Sequence, residues 1–354
     1  MKTLPMIHLG IGHVGKTLVD QIINQHNYIR KTFDINLSYR GLFTSKHGWV
    51  NAKGFSLSAL KKLTHGQTFL EKRKPLHYIN SCPSPFVLID TTASNETYPL
   101  LLTALKKGGF VVLSNKKPLT GSQKEFDKLH DIGSGKLLYE TTVGAGLPVI
   151  GTLKSLLDTG DEIIRLQGSF SGTLGFIFSE IEKGAAFSEV VQKAMKKGYT
   201  EPDPRDDLSG LDVARKGLIL SRIIGRKIEL SNIRVQSLYP SSVARISVDT
   251  FLSTMEKLNK TYKQKFDRAK RLGKTLRYIA TITPSSCRTG LELVDKQSDF
   301  GMLSGPDNLI VMQTKRYDKN PLVIKGPGAG VDVTAAGVFA DILSIAKIMN
   351  GVKI

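Results

Sequence analysis

The sequence predicts an α/β fold in which a doubly wound parallel sheet is joined to a second, α+β domain. Residues 1–147 alternate short β-rich runs with helical patterns, the signature of successive βαβ units. A glycine turn, Gly10-Ile11-Gly12-His13-Val14-Gly15, directly follows the first of these runs and opens the first helix. Beyond Pro148 the alternation gives way to consecutive helical patterns and then consecutive strands.

Taken in order, "PMIHLG" reads as strand, "GKTLVDQIINQH" as helix and "DINLSYRGLF" as strand. "FVLID" is strand, "ETYPLLLTALKKG" helix, "GFVVLSN" strand, and "KLLYE" a further strand before "VGAGLP". In the second domain "SGTLGFIFSEIEKG", "FSEVVQKAMKKG" and "LSGLDVARKGLILSRIIG" read as helices, each near a glycine stop. "TLRYIATIT", "TGLELVD", "LIVMQTK" and "PLVIK" read as strands of an antiparallel meander. The glycine turn in "KGPGAGVDVTAAGVFADILSIAKIMNG" opens a long apolar helix expected to pack back on the first domain. The expected division is therefore 1–147 completed by 326–354, and 148–325.

A length of 354 residues favours two cores over one. Hydrophobic content of 40% and a mean hydropathy of −0.11 fit a soluble globular chain. No apolar run approaches the roughly 18 residues that span a bilayer, and the amino terminus lacks the pattern of a signal peptide. Cys82 and Cys287 are far apart and form no CxxC pair, which argues for a reducing, cytoplasmic setting.

The formal charge of +19 is spread along the chain, with one dense stretch from Glu256 to Lys274. No zinc finger or RNP motif accompanies that stretch. A solvated helix explains it better than a nucleic-acid face.

In its strand–turn–helix context the Gly10–Gly15 loop, with His13 and Val14 inside it, reads as the pyrophosphate site of a Rossmann-type domain. Bare backbone lets the phosphates approach, and a helix amino end supplies N–H groups and a favourable dipole. NAD-preferring sites place an acid at the end of the second strand. Here that end reads Phe43-Thr44-Ser45-Lys46, so Thr44, Ser45 and Lys46 favour a 2′-phosphate and NADP over NAD.

The acids of "YTEPDPRDDLSGLDVARK" gather where the rest of the chain is basic. Asp212 and Lys216 are four residues apart, on one helical face. A surface ion pair is the plain reading. Against it stand the density of acids upstream and the prolines that fix the path of "EPDPRDD". A carboxylate there can grip a substrate ammonium, and a lysine kept protonated by acids can protonate a developing alkoxide.

"GIGHVG", "DTTAS", "SNKKPL", "YETTVGAGLP", "GYTEPDPRDDLSGLDVARK" and "GPGAGVDVTAAGV" occur in that order, and together they resemble the homoserine dehydrogenase family over nearly the whole chain. The long acidic motif is the specific one; the glycine loop alone is not. The resemblance implies NAD(P)-dependent interconversion of L-homoserine and L-aspartate 4-semialdehyde, on the route from aspartate to threonine and methionine. It implies that Lys216 is the proton donor, that Glu201 and Asp212 hold the substrate's amino group, and that Gly198 contributes backbone. Lys116 matches a lysine placed between cofactor and substrate, and Thr92, Ser94 and Gly330 match positions at the cofactor. The segment "ETTVGAGLP" matches one whose backbone oxygens hold a monovalent cation, commonly Na+, with Glu140, Val143, Ala145 and Leu147 at the ligand positions. A homodimer is implied, through strands of the second domain. Within the chain as given, no aspartokinase-like region precedes the glycine loop and no regulatory domain follows the last helix, so a monofunctional enzyme is expected.

Other readings have less support. An aspartate-semialdehyde dehydrogenase needs a cysteine nucleophile, and neither Cys82 nor Cys287 stands in a convincing context. The seven histidines show no HxxxH or similar ligand spacing for a catalytic metal. A silent dinucleotide sensor has no reason to keep Lys116, Glu201, Asp212 and Lys216 together.

Overall fold

The computed structural model describes residues 1–65, 74–349 and 351. The chain divides into two compact units, Met1–Gly146 with Gly330–Ile354, and Leu147–Ala329. The junctions thus fall at 146/147 and 329/330, where 147/148 and 325/326 were expected. The last strand of the second unit runs on to Pro327, which carries the second junction past residue 325.

The first unit is built on β1 (Lys2–Leu9), β2 (Ile35–Phe43), β3 (Gly48–Val50), β4 (Val87–Asp90), β5 (Phe110–Leu113) and β6 (Leu137–Leu138). Their order is β3-β2-β1-β4-β5-β6. All neighbours pair in parallel except β3, a short strand that turns back antiparallel on β2. The helices lie over both faces of strands whose side chains alternate between two interiors. Leu4, Met6, Val87, Ile89 and Val112 join one core with the His13–Phe33 and Val331–Met349 helices. Ile7, Leu88 and Val111, equally buried, point to the other side. Each fully buried aliphatic side chain stabilises by roughly 1.5–3 kcal/mol.

The last helix approaches its neighbours through glycine. A Cβ on Gly146 would stand 2.3 Å from the Val333 carbonyl oxygen, and one on Gly337 would stand 2.5 Å from Thr141 Cγ2. That close contact explains the "VGAG" and "TAAG" spellings, and it holds the last helix in the first unit.

The second unit contains β7 (Ile163–Ser169), β8 (Arg234–Val235), β9 (Lys274–Ile282), β10 (Cys287–Asp295), β11 (Asp307–Thr314) and β12 (Leu322–Pro327). The sheet order, β12-β11-β7-β9-β10-β8, corrects the expected meander. β7 inserts antiparallel between β9 and β11, so β10 and β11 are not neighbours. The sequence reading missed β7 because Arg165, Gln167 and Gly168 weaken its apolar alternation. Gln167 instead reaches Thr281 and Glu292 across the sheet. The basic stretch forms the Glu256–Arg271 helix, which buries Tyr262, Phe266 and Ala269 and leaves most of its lysines in solvent. No helix of the described residues is long and apolar enough to cross a membrane.

Candidate functional site

In the first unit the candidate residues collect at the carboxyl ends of the parallel strands. The strand order turns outward from β1 to either side, which is where open α/β sheets bind ligands. Gly10 follows β1 with φ +94°, and a Cβ there would lie 2.7 Å from the Thr92 nitrogen. Gly15 is equally constrained, since its Cβ would meet the Gly10 carbonyl oxygen at 2.3 Å. Gly12 differs: a Cβ there would find nothing within 4 Å. It caps the His13–Phe33 helix with no side-chain hydrogen bond, and the first turn holds no acid. The loop therefore presents the amino end of a helix beside open space, which suits an anion.

A buried polar knot braces this loop. Asp90, fully buried at the end of β4, accepts the Thr92 N–H at 2.9 Å and the Asn115 amide at 3.1 Å. The same Asn115 nitrogen reaches Thr92 Oγ1 (3.1 Å) and the Ser94 carbonyl (2.8 Å). Asn115 Oδ1 in turn accepts the Lys117 N–H at 3.1 Å, fixing the turn that carries Lys116. Thr92, Ser94 and Lys116 are thus coupled through Asp90 and Asn115, two residues to which sequence reasoning assigned no part. Beneath them His8 contacts Thr91 Oγ1 at 2.9 Å, and complete burial holds its imidazole down to about 3, neutral at ordinary pH.

The end of β2 is tied in by the Gly10 N–H, which donates to the Phe43 carbonyl at 2.8 Å. Thr44 Oγ1 accepts the Lys46 and His47 N–H groups at 3.2 and 2.9 Å and lies 3.3 Å from the His47 carbonyl. Its hydroxyl staples the β2–β3 turn, while Ser45 and Lys46 are exposed at the tip. Arg40 is the extra residue of a bulge, since Met6 pairs with Tyr39 and Ile7 with Gly41. Gly330, with φ +140°, opens the last helix, which Gln21 holds through Asp332 well inside the first helix. No hydrogen bond among the described residues sets Gly330 against the glycine loop.

Glu140, Val143 and Ala145 lie in a turn where Gly144 and Ala145 are both left-handed, at φ +85° and +54°. The Glu140 carbonyl receives the Val143 N–H at 3.4 Å and its own N–H donates to Asp341. The Leu147 carbonyl receives the Val149 N–H at 2.8 Å. No group of three His, Cys, Asp or Glu side chains among the described residues is arranged to hold a metal.

In the second unit the acid-rich loop is built around Lys216. Its Nζ lies 2.8 Å from Asp212 Oδ2, one turn earlier on the Leu211–Ile223 helix, and donates at 2.6 Å to the Phe170 carbonyl just beyond β7. That helix is pinned at both ends of the pair. Gly210 precedes it at φ +73°, where a Cβ would stand 1.9 Å from Tyr278 Oη. Gly217 follows, with Cys287 Sγ 3.1 Å from where its Cβ would be.

The upstream acids divide by role. Asp203 grips Arg205 in a fork, with Nε–Oδ1 at 2.9 Å and Nη2–Oδ2 at 2.7 Å, and Arg205 also donates to the Ile246 carbonyl at 2.6 Å. The guanidinium holds the Asp203 carboxyl below its ordinary range. Asp207 accepts the Glu201 N–H at 2.8 Å and the Thr173 hydroxyl at 2.9 Å. Burial, with Glu201 and Asp212 nearby, pushes the Asp207 carboxyl up. Thr173 also lies 2.5 Å from the Tyr199 carbonyl, so the loop between Gly198 and Glu201 is fastened to the start of the Gly172–Glu182 helix. Glu201 itself is exposed, as is Asp206. Glu201, Asp207, Asp212 and Lys216 therefore share one electrostatic neighbourhood. The Phe170 carbonyl, just beyond a strand missed in the sequence, completes it.

A family model described as homoserine dehydrogenase matches residues 148–343. The homoserine dehydrogenase of Schizosaccharomyces pombe is 37% identical over 367 residues, covering 98% of this chain and 95% of the yeast protein. A chloroplastic bifunctional aspartokinase/homoserine dehydrogenase of Zea mays is 38% identical over 361 residues, covering 98% of this chain. The chain spans 39% of that maize protein, about two fifths of its length. Among solved structures, a hyperthermophilic archaeal homoserine dehydrogenase in complex with NADPH has a TM-score of 0.75 at 22% identity, with 99% and 98% of the two chains covered. At that identity the likeness is one of fold.

Proposed function

The chain belongs to the homoserine dehydrogenase family, and from that premise we propose that it interconverts L-homoserine and L-aspartate 4-semialdehyde with a nicotinamide dinucleotide, within amino-acid biosynthesis from aspartate. The observation that carries this reading is the Lys216 ammonium held between Asp212 and the Phe170 carbonyl. Both neighbours favour its charged form and fix where its proton points.

When bound, the nicotinamide supplies a hydride to the aldehyde carbon, or accepts one from the alcohol carbon. Lys216 gives a proton to the aldehyde oxygen as charge builds there, and takes one from the homoserine hydroxyl in the opposite direction. Glu201 and Asp212, with Gly198 backbone, hold the substrate's ammonium group. Asp203 and Asp207 shape the loop rather than touch substrate. In the first unit Gly10, Gly12, His13, Val14 and Gly15 receive the pyrophosphate, and Thr92, Ser94, Lys116 and Gly330 serve the cofactor. Ser45 and Lys46 favour NADP over NAD, with Thr44 shaping their turn.

We also propose that the segment Glu140–Leu147 holds Na+ through the carbonyl oxygens of Glu140, Val143, Ala145 and Leu147. The Leu147 carbonyl, which accepts the Val149 N–H, has a second lone pair for such a cation. The enzyme is proposed to be a cytoplasmic homodimer, which sedimentation would test. Its two cysteines are buried and unpaired, as suits a reducing compartment.

The deciding experiment follows NAD(P)H absorbance with aspartate 4-semialdehyde, and NAD(P)+ reduction with homoserine, against Lys216→Ala. Turnover in both directions with the parent alone supports the assignment. A folded parent protein inert with both substrates overturns it.

A further inference from the structure

A cavity of about 630 Å3 opens in the second unit beside the Glu256–Arg271 helix, the turn at Gly184–Phe187 and the start of β9. Neither Asp212 nor Lys216 lines it. Lys260, Lys263 and Lys270 come to it from one helix face, and Lys183, Lys274 and Lys296 from three other segments. The acids on the wall are already engaged. Glu182 pairs with Arg277 at 2.7 Å and Asp267 with Lys263 at 3.0 Å, while Lys183 is taken by Glu180 at 2.9 Å. Lys260, Lys270, Lys274 and Lys296 make no ion pair among the described residues.

A solvated helix face explains lysines that diverge into water. It does not explain four lysines without an ion pair that line one hollow from a helix, a strand start and a turn. Like charges so gathered repel each other, and the arrangement is relieved by an occupant carrying several negative charges. A single-charge anion leaves most of them uncompensated. The concavity is of small-molecule size.

We propose that this cavity binds a small molecule bearing a chain of phosphate groups. The test is calorimetric titration of inorganic tripolyphosphate into the full chain already saturated with NADPH, so that the glycine loop is not the site being read. Expected is saturable binding at one site per chain that weakens as KCl is raised. It should weaken by at least about tenfold in Lys270→Glu/Lys274→Glu, a change of roughly 1.4 kcal/mol or more, while kcat and the thermal midpoint stay at parent values. Should that double variant fail to fold, Lys260→Ala/Lys296→Ala is read in the same way. Absence of saturable heat, parent-like affinity in a folded variant, or orthophosphate binding as tightly as tripolyphosphate would each overturn the proposal.

Discussion

Lys216 Nζ lies 2.8 Å from Asp212 Oδ2 and 2.6 Å from the Phe170 carbonyl, so a cation on one helix is clamped by its own helix and by the end of β7. With Gly210 and Gly217 locking the helix against Tyr278 and Cys287, removal of the lysine should disturb chemistry more than fold. Lys216→Ala is expected to keep the parent's thermal midpoint and cofactor affinity and to lose about 10²–10⁴ in kcat. The parent should oxidise homoserine faster as the solution turns alkaline, because only neutral lysine accepts the proton. A variant retaining half the parent's kcat, or a flat alkaline profile in the parent, excludes Lys216 as the proton carrier.

Asp207 and Asp206 adjoin in sequence and differ in duty. Asp207 holds the Glu201 N–H and the Thr173 hydroxyl; Asp206 is exposed. Asp207→Ala leaves the Glu201 N–H without its acceptor and the Thr173 hydroxyl with the Tyr199 carbonyl alone, and should cost about 1–3 kcal/mol in unfolding free energy. Because the Glu201 loop loosens, KM for homoserine should rise more than kcat falls. Asp206→Ala should stay within about 0.5 kcal/mol of the parent and keep its KM. Denaturant melts and initial rates on the pair decide, and equal behaviour of the two variants would rule out the division of roles.

The pair Lys216–Asp212 was legible in the sequence because four residues on a helix define a face. The glycine loop was legible because a strand, a turn and a helix start are all local. Phe170 was not, because its contribution is a carbonyl, which every residue has, just beyond a strand whose Arg165, Gln167 and Gly168 hide the alternation. Asp90 and Asn115 stood in recognised motifs, yet the Asn115 bonds to Asp90, Thr92 and Ser94 join segments remote in sequence. The β7 insertion is equally non-local, since a strand's neighbours are chosen by the whole sheet and not by its own residues. Thr44 Oγ1, expected to meet a phosphate, accepts two N–H groups of its own turn, a local bond that the sequence did not reveal.

Gly12 separates ligand space from fold space. Its φ of −87° suits any residue, and a Cβ there meets nothing within 4 Å. Gly12→Ala should therefore melt like the parent while binding NADP at least about tenfold more weakly, because the methyl group enters the space assigned to the pyrophosphate. Gly10→Ala, strained at φ +94° and 2.7 Å from the Thr92 nitrogen, should lose stability as well. Melting curves with and without NADP distinguish the two. Parent-like NADP affinity in Gly12→Ala would remove the loop from the cofactor site.

Glu180 accepts hydrogen bonds from Lys193 and Lys183, which together draw its carboxyl down to about 2. A carboxyl whose pKa is lower in the folded state contributes stability that is complete above the unfolded value, 4.5, and is lost as pH falls toward about 2. The parent's thermal midpoint should fall across that acidic window, and Glu180→Gln should flatten part of the slope while matching the parent's shape at neutral pH. Superimposable acid profiles for the two proteins would show that the pair contributes nothing there.

Cofactor choice rests on the β2–β3 turn. Residues 43–47 carry no acid, so nothing there repels a 2′-phosphate, and Lys46 stands exposed at the tip. The staple made by Thr44 Oγ1 to the Lys46 and His47 N–H groups holds that tip in shape without offering a free hydroxyl. Attraction then falls to Lys46, with Ser45 as a donor. An exposed pair is screened and worth up to about 1 kcal/mol, so Lys46→Ala should weaken NADP roughly fivefold and leave NAD unchanged. Thr44→Ala should weaken NADP as well, through the turn, and should also lower the thermal midpoint, which Lys46→Ala should not. Raising the salt concentration should narrow the gap between the parent and Lys46→Ala, since only the ion pair is screened. Calorimetric affinities for both dinucleotides at two salt concentrations test this directly. Equal loss of NAD and NADP in Lys46→Ala, or tighter binding of NAD by the parent, would take the phosphate away from this turn.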